Sequence, residues 1–223
     1  MIDLPPVTRV RTPRTARVAH LGPERAERSI WVVLHGYRQL APWFLRHFRS
    51  LDDGSRRILA PEALNRFYVG DPDGRHGPDA RIGATWMTRE DRDQEIDDYV
   101  EYLERVLGEA TGEHDELSVV VLGFSQGAHT AARWMLRSEH PARAVVLWGE
   151  GLPHDTTAEE LKARPRRWVL IRGDADRSRD PAREARDAER FLTAGLDPEV
   201  RVHAAGHRLH TPTLEELAAD LGV

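Results

Sequence analysis

Residues 119–129 constrain the fold of this chain more than any other stretch. Val119-Val120-Val121-Leu122 is an unbroken apolar run, the pattern of a strand buried on both faces. It breaks at Gly123-Phe124-Ser125-Gln126-Gly127 and passes at once into a helical pattern running from Gln126 to Arg137. A G-x-S-x-G turn between a strand and a helix is a nucleophile elbow, which makes Ser125 the candidate nucleophile. The serine of such a turn occupies a strained backbone conformation, and side chains at Gly123 and Gly127 would collide with neighbouring backbone. The hydroxyl then projects above the sheet edge at a helix N-terminus, where free N–H groups and the helix dipole favour negative charge.

The rest of the chain supplies a setting for that turn. Short apolar runs alternate with helical patterns, the signature of an α/β protein with a mostly parallel sheet and helices on both faces. Extended pieces at Val7–Arg11 and Thr15–His20, separated by Thr12-Pro13-Arg14, are expected to pair as a hairpin. Strands are expected at Ile30–Leu34, Arg57–Ala60, Ala144–Trp148, Arg167–Arg172 and Val200–His203. Helices are expected at Pro42–Leu51, Asp91–Gly108, Pro181–Ala194 and Pro212–Leu221. In Asp91–Gly108 the residues Ile96, Tyr99, Val100, Leu103 and Leu107 fall on one face. The turn formers of Gly70–Pro78 read as a surface loop.

Composition narrows the chemistry. A length of 223 residues suits one domain spanning 1–223, and no linker-like stretch divides it. The chain has no cysteine, which removes disulfides, thiolate nucleophiles and cysteine-held metals. A net charge of −5 with both signs interspersed argues against a nucleic-acid surface. Lys162 is the sole lysine, an arginine bias that reads as genomic rather than functional. No apolar run approaches a bilayer span and Met1–Pro6 has no secretory pattern, so the expected location is cytoplasmic, without integral membrane association.

A serine hydroxyl needs a base, and the base needs an acid; in this fold class the chain order after the serine is acid, then histidine. Parallel sheets place their chemistry beyond the carboxyl ends of the strands. Gly173-Asp174-Ala175-Asp176 follows one strand, with Asp176 preferred as the acid and Asp174 as the alternative. Asp180, directly before Pro181, suits a helix cap instead. Gly206-His207 follows the last strand. His207 is the candidate base, with His210 second because it lies close to the final helix. His47, His114 and His140 read as surface residues and His203 as a strand residue. Two N–H donors for an oxyanion are expected from Gln126, after the nucleophile, and from Tyr37, in the loop after His35-Gly36.

Together these residues resemble the phospholipase/carboxylesterase family of α/β-hydrolases, which includes acyl-protein thioesterases and small bacterial carboxylesterases. The resemblance rests on His35-Gly36, Ala60-Pro61-Glu62-Ala63, Gly83-Ala84-Thr85-Trp86-Met87, Gly123–Ala128, Trp148-Gly149-Glu150-Gly151-Leu152-Pro153, Gly173–Asp176 and Gly206-His207. It implies a three-layer α/β-hydrolase fold without a large cap. It also implies a Ser125-Asp176-His207 triad, and hydrolysis of carboxylic esters or thioesters through an acyl-enzyme. Trp86 and Met87 would lie beside an acyl pocket and Leu152 near its rim. The partner is a small-molecule ester or thioester; no metal or organic cofactor is implied, and a homodimer is compatible with the chain. A ligand-binding protein with little turnover on the same scaffold is the competing reading. Two stretches depart from the family pattern. His35-Gly36-Tyr37-Arg38-Gln39 replaces a smaller His-Gly-Leu-Gly-Asp type of loop, and Arg177-Ser178-Arg179-Asp180 replaces an apolar pair before proline.

Overall fold

The computed structural model describes residues 5–70, 76–112, 117–164 and 166–223. The expectations for Met1–Leu4, for 71–75 within the turn-rich loop and for His114 lie outside the described residues.

Elements follow one another as β1 (Val18–Leu21), β2 (Ser29–Leu34), α1 (Ala41–Leu45), a 3-10 helix (Arg46–Leu51), β3 (Arg56–Pro61), β4 (Asn65–Tyr68), β5 (Ile82–Thr85), α2 (Arg92–Thr111), β6 (Ser118–Phe124), α3 (Gln126–Arg137), β7 (Ala144–Trp148), α4 (Ala158–Ala163), β8 (Trp168–Gly173), α5 (Pro181–Thr193), β9 (Glu199–His203) and α6 (Thr211–Leu221). The main sheet has the order β1-β3-β2-β6-β7-β8-β9. Every neighbouring pair in it is parallel except β1 with β3. β4 and β5 form a separate antiparallel hairpin.

The period-two alternation of each strand sorts its side chains between two cores. Ile30, Val32 and Leu34 of β2 and Val119 and Val121 of β6 pack on one face with Ile96, Tyr99, Leu103 and Leu107 of α2, Ala131 and Met135 of α3, and Phe191 of α5. Trp31, Val33, Val120, Leu122 and Phe124 face the other way, against Phe44, Phe48, Leu214, Leu217 and Leu221. Each fully buried Leu or Ile contributes roughly 1.5–3 kcal/mol, so two such layers clamp the central strands. The result is the three-layer α/β-hydrolase arrangement, with no large cap among the described residues.

Two expectations differ from the structure, and two further features have no counterpart among them. The N-terminal hairpin does not form: β1 pairs with β3, and Val7 and Val10 are exposed. Arginines anchor that segment instead, Arg9 on Asp91, Arg11 on Glu101 and Arg17 on Glu62. The helix expected at Pro42–Leu51 changes from α to 3-10 geometry at Arg46. The β4–β5 hairpin and α4 were not expected, although Thr157 and Glu160 form a capping box at the start of α4. No helix among the described residues is long and apolar enough to cross a membrane.

Candidate active site

Ser125 stands between β6 and α3 at φ 53° and ψ −121°, a conformation that costs a non-glycine residue about 1–3 kcal/mol. Packing enforces it. A Cβ on Gly123 would lie 2.1 Å from the Gly127 carbonyl oxygen, and one on Gly127 would lie 2.2 Å from that of Leu34. The two glycines let α3 sit directly against β6 and β2. The Ser125 N–H donates to the Trp148 carbonyl at 2.9 Å, which ties the elbow to the end of β7. The Ser125 hydroxyl has no hydrogen-bond partner among the described residues.

The loop after β2 lies on the other side of the serine, because a Cβ on Gly36 would come 3.2 Å from the Ser125 Cβ. His35 is fully buried there. Its Nε2 accepts the Ala63 N–H at 3.1 Å and its Nδ1 meets the Gly36 carbonyl at 2.8 Å, a pair of partners that fixes a neutral ring with the proton on Nδ1. Burial pushes its pKa down, consistent with that state. Buried Glu62 accepts the Ala41 N–H and two arginine side chains, Arg17 and Arg66, and so anchors the start of α1. Gly36 donates to the Gln39 side chain and Gln39 to the Gly36 carbonyl, while Arg38, at φ 67°, donates to Ala84 of β5. The intervening Tyr37 N–H and the Gln126 N–H at the first turn of α3 donate to no acceptor among the described residues. Both are available to a negative oxygen.

His207 follows β9. Its Nδ1 is 2.7 Å from Oδ2 of Asp176, which follows β8. The Asp176 side chain is 1% exposed and that of His207 30%. Asp174 is exposed, and Asp180 caps α5 by accepting the Ala182 N–H. The imidazole packs on Phe124, the residue before the serine, with ring centroids 5.0 Å apart. It also leans on Gly149, where an added Cβ would come 3.0 Å from Cε1. Burial opposes charge on Asp176, but hydrogen bonds from Ser178 and His207 outweigh it and hold the carboxyl below its ordinary range. His210 turns away from this group: its Nδ1 meets Thr213 Oγ1 and its ring stacks on His203.

The residues expected around an acyl group divide. Trp86 is 1% exposed, its Nε1–H donating to the His35 carbonyl, and Leu152 is fully buried, its N–H donating to Asp187. Both complete the core and offer no surface to a ligand, whereas Met87 is partly exposed. Two contributors carry no local sequence signature. The Gln126 side chain accepts the Trp86 N–H and donates to Thr85 Oγ1 and the Met87 carbonyl, joining the elbow to the segment after β5. Glu150 pairs with Arg183 at 2.7 Å, and Arg183 also meets His129 Nε2. Burial raises the Glu150 pKa against the opposing pull of Arg183 and His207.

Residues 30–217 match the family described as Serine hydrolase (FSH1). No curated protein matches the sequence. Among solved structures, esterase PE8 aligns at 20% identity over 94% of this chain and 99% of its own, with a TM-score of 0.70. An acyl-protein thioesterase 2 from Zea mays aligns at 16% identity over 93% and 98%, with a TM-score of 0.68. A phospholipase/carboxylesterase from Dyadobacter fermentans DSM 18053 aligns at 14% identity over 96% and 99%, with a TM-score of 0.66. These likenesses bear out the α/β-hydrolase fold expected from the sequence.

Proposed function

Because the chain belongs to the FSH1 serine hydrolase family, we propose that it cleaves a small carboxylic ester or thioester through an acyl-enzyme on Ser125, with His207 as base and Asp176 as the acid that orients it. The observation that carries this reading is the convergence at one sheet edge. The strained serine, the 2.7 Å His207–Asp176 contact and two N–H groups without acceptors among the described residues all lie beyond the carboxyl ends of β2, β6, β8 and β9.

In the first half-reaction Ser125 Oγ attacks the carbonyl carbon while His207 Nε2 takes its proton. The developing oxyanion is held by the N–H groups of Tyr37 and Gln126. Collapse expels the alcohol or thiol, which takes the proton back from His207. Water, activated by the same imidazole, then attacks the acyl carbon and regenerates the serine. Asp176 keeps the Nδ1–H tautomer in place and stabilises the imidazolium. Ester and thioester substrates share this course, and the structural relatives, an esterase, a phospholipase/carboxylesterase and an acyl-protein thioesterase, include both kinds. The acyl group would meet Met87 and the exposed Tyr37 ring, which stacks on Phe67 of β4 at 5.3 Å.

The test is hydrolysis of p-nitrophenyl acetate and butyrate and of acyl thioesters of matched length. Wild type turns over at least one series, and Ser125→Ala and His207→Ala each lose several orders of magnitude. Binding without turnover by wild type would favour a ligand-binding role and overturn the proposal.

A further inference from the structure

Ser178 lies two residues beyond Asp176, in the turn that closes before α5. Its N–H donates to Asp176 Oδ1 at 2.8 Å, an ordinary local turn contact. Its hydroxyl does more. Ser178 Oγ lies 2.6 Å from the same Oδ1 and 3.2 Å from His207 Nδ1, so one side chain touches both the acid and the base. With the hydroxyl proton directed to Asp176, the lone pairs of Oγ are left facing the Nδ1–H of His207.

From this geometry we infer that Ser178 is a positioning residue that sets the orientation and charge of the Asp176–His207 pair. This rests on the triad reading above. Two donors on Oδ1 stop the carboxylate from rotating and leave Oδ2 committed to His207. The hydroxyl also draws charge out of the carboxylate, which weakens its pull on the imidazole. The 2.6 Å contact to the carboxylate is shorter than the 3.2 Å contact to the ring, so the hydroxyl acts on His207 chiefly through Asp176.

Other charges face this group and stay in place when Ser178 is altered. Glu150, after β7, is paired with Arg183 of α5. Arg179 and Arg172 are both paired with Glu184. Asp174 and Arg208 flank the loops of Asp176 and His207, and the stacked His203 and His210 lie beneath them. A difference between wild type and a Ser178 variant therefore reports the hydroxyl.

The experiment measures kcat/KM for p-nitrophenyl butyrate across pH in wild type, Ser178→Ala and Ser178→Thr. The alanine variant is expected to lose about tenfold, equivalent to about 1.4 kcal/mol, with the acid limb of its profile displaced to higher pH. Threonine, which keeps the hydroxyl, is expected to restore both. The downfield Nδ1–H proton resonance of His207 should shift in the alanine variant and return with threonine. An acid limb unmoved by Ser178→Ala, or moved equally by threonine, would overturn the inference. If Ser178→Ala melts well below wild type, Ser178→Cys replaces it, because it keeps the volume but is a weak donor; the same displacement is then required. Fluorophosphonate labelling separates the two readings. Wild type that is not labelled at Ser125 sinks the triad and this inference together, whereas a labelled enzyme with an unmoved profile sinks the inference alone.

Discussion

Replacing Ser125 by glycine should make the protein more stable while abolishing its chemistry. The serine is held at φ 53° and ψ −121°, a region natural only to glycine. Its hydroxyl has no partner among the described residues whose loss would offset the relief. Removing the Cβ releases about 1–3 kcal/mol of backbone strain, against about 0.4–1 kcal/mol for the greater freedom of glycine in the unfolded chain. The net gain is about 1 kcal/mol, which for a domain of this size corresponds to a rise of about 2–4 °C in Tm. Ser125→Ala is the control, because it deletes the same hydroxyl and keeps the strained φ. Urea and thermal unfolding of both variants, followed by far-ultraviolet circular dichroism, isolate the backbone contribution as their difference. Glycine no more stable than alanine would show that the elbow stores no strain and would refute this reasoning.

Three further outcomes follow from the same geometry. Gly127→Ala places a Cβ 2.2 Å from the Leu34 carbonyl oxygen, so α3 must move off β2; a stability loss of about 1–3 kcal/mol together with loss of activity is expected, and an active variant of wild-type Tm would contradict it. Asp176→Asn should lower kcat by about 10⁴-fold with little change in fold, read by steady-state kinetics beside circular dichroism; equal turnover would remove Asp176 from the mechanism. His129, neutral and facing Arg183, has its pKa pushed down to about 3 by burial and then by Arg183 and Arg133. The unfolded chain therefore takes up this proton first as pH falls below about 6.5, and stability should drop toward pH 3 by at most about 1.4 kcal/mol per pH unit. His129→Gln, which cannot titrate, should flatten that slope in urea titrations, and an unchanged slope would refute the assignment.

Local signals made much of this molecule legible. The helix after the elbow and strand β7 lie where their patterns place them, because a fully apolar run and its glycine breaks depend on few distant contacts. The Asp176–His207 contact was likewise foreshadowed by turns that follow strand ends. What stayed hidden depends on partners remote in sequence. Alternating Val and Arg in the N-terminal segment look like a strand, but without a neighbouring edge the arginines pair with α2 and its approach instead. Trp86 reads as a pocket residue by resemblance, yet its Nε1–H finds the His35 carbonyl and draws the ring into the core. The Gln126 bonds to Thr85, Trp86 and Met87 span about forty positions, and no periodicity announces them. Ser178 was visible only as a polar residue in an unusual place.

The central claim, that Ser125 forms an acyl-enzyme served by His207, is tested most directly by trapping that intermediate. Wild type and His207→Ala would be quenched in acid within milliseconds of mixing with a p-nitrophenyl ester, digested, and weighed by mass spectrometry. The account predicts that the peptide carrying Ser125 gains the mass of the acyl group in wild type and stays unmodified in His207→Ala over the same interval. Acylation at another residue, or modification of Ser125 at the same rate in both proteins, would contradict it.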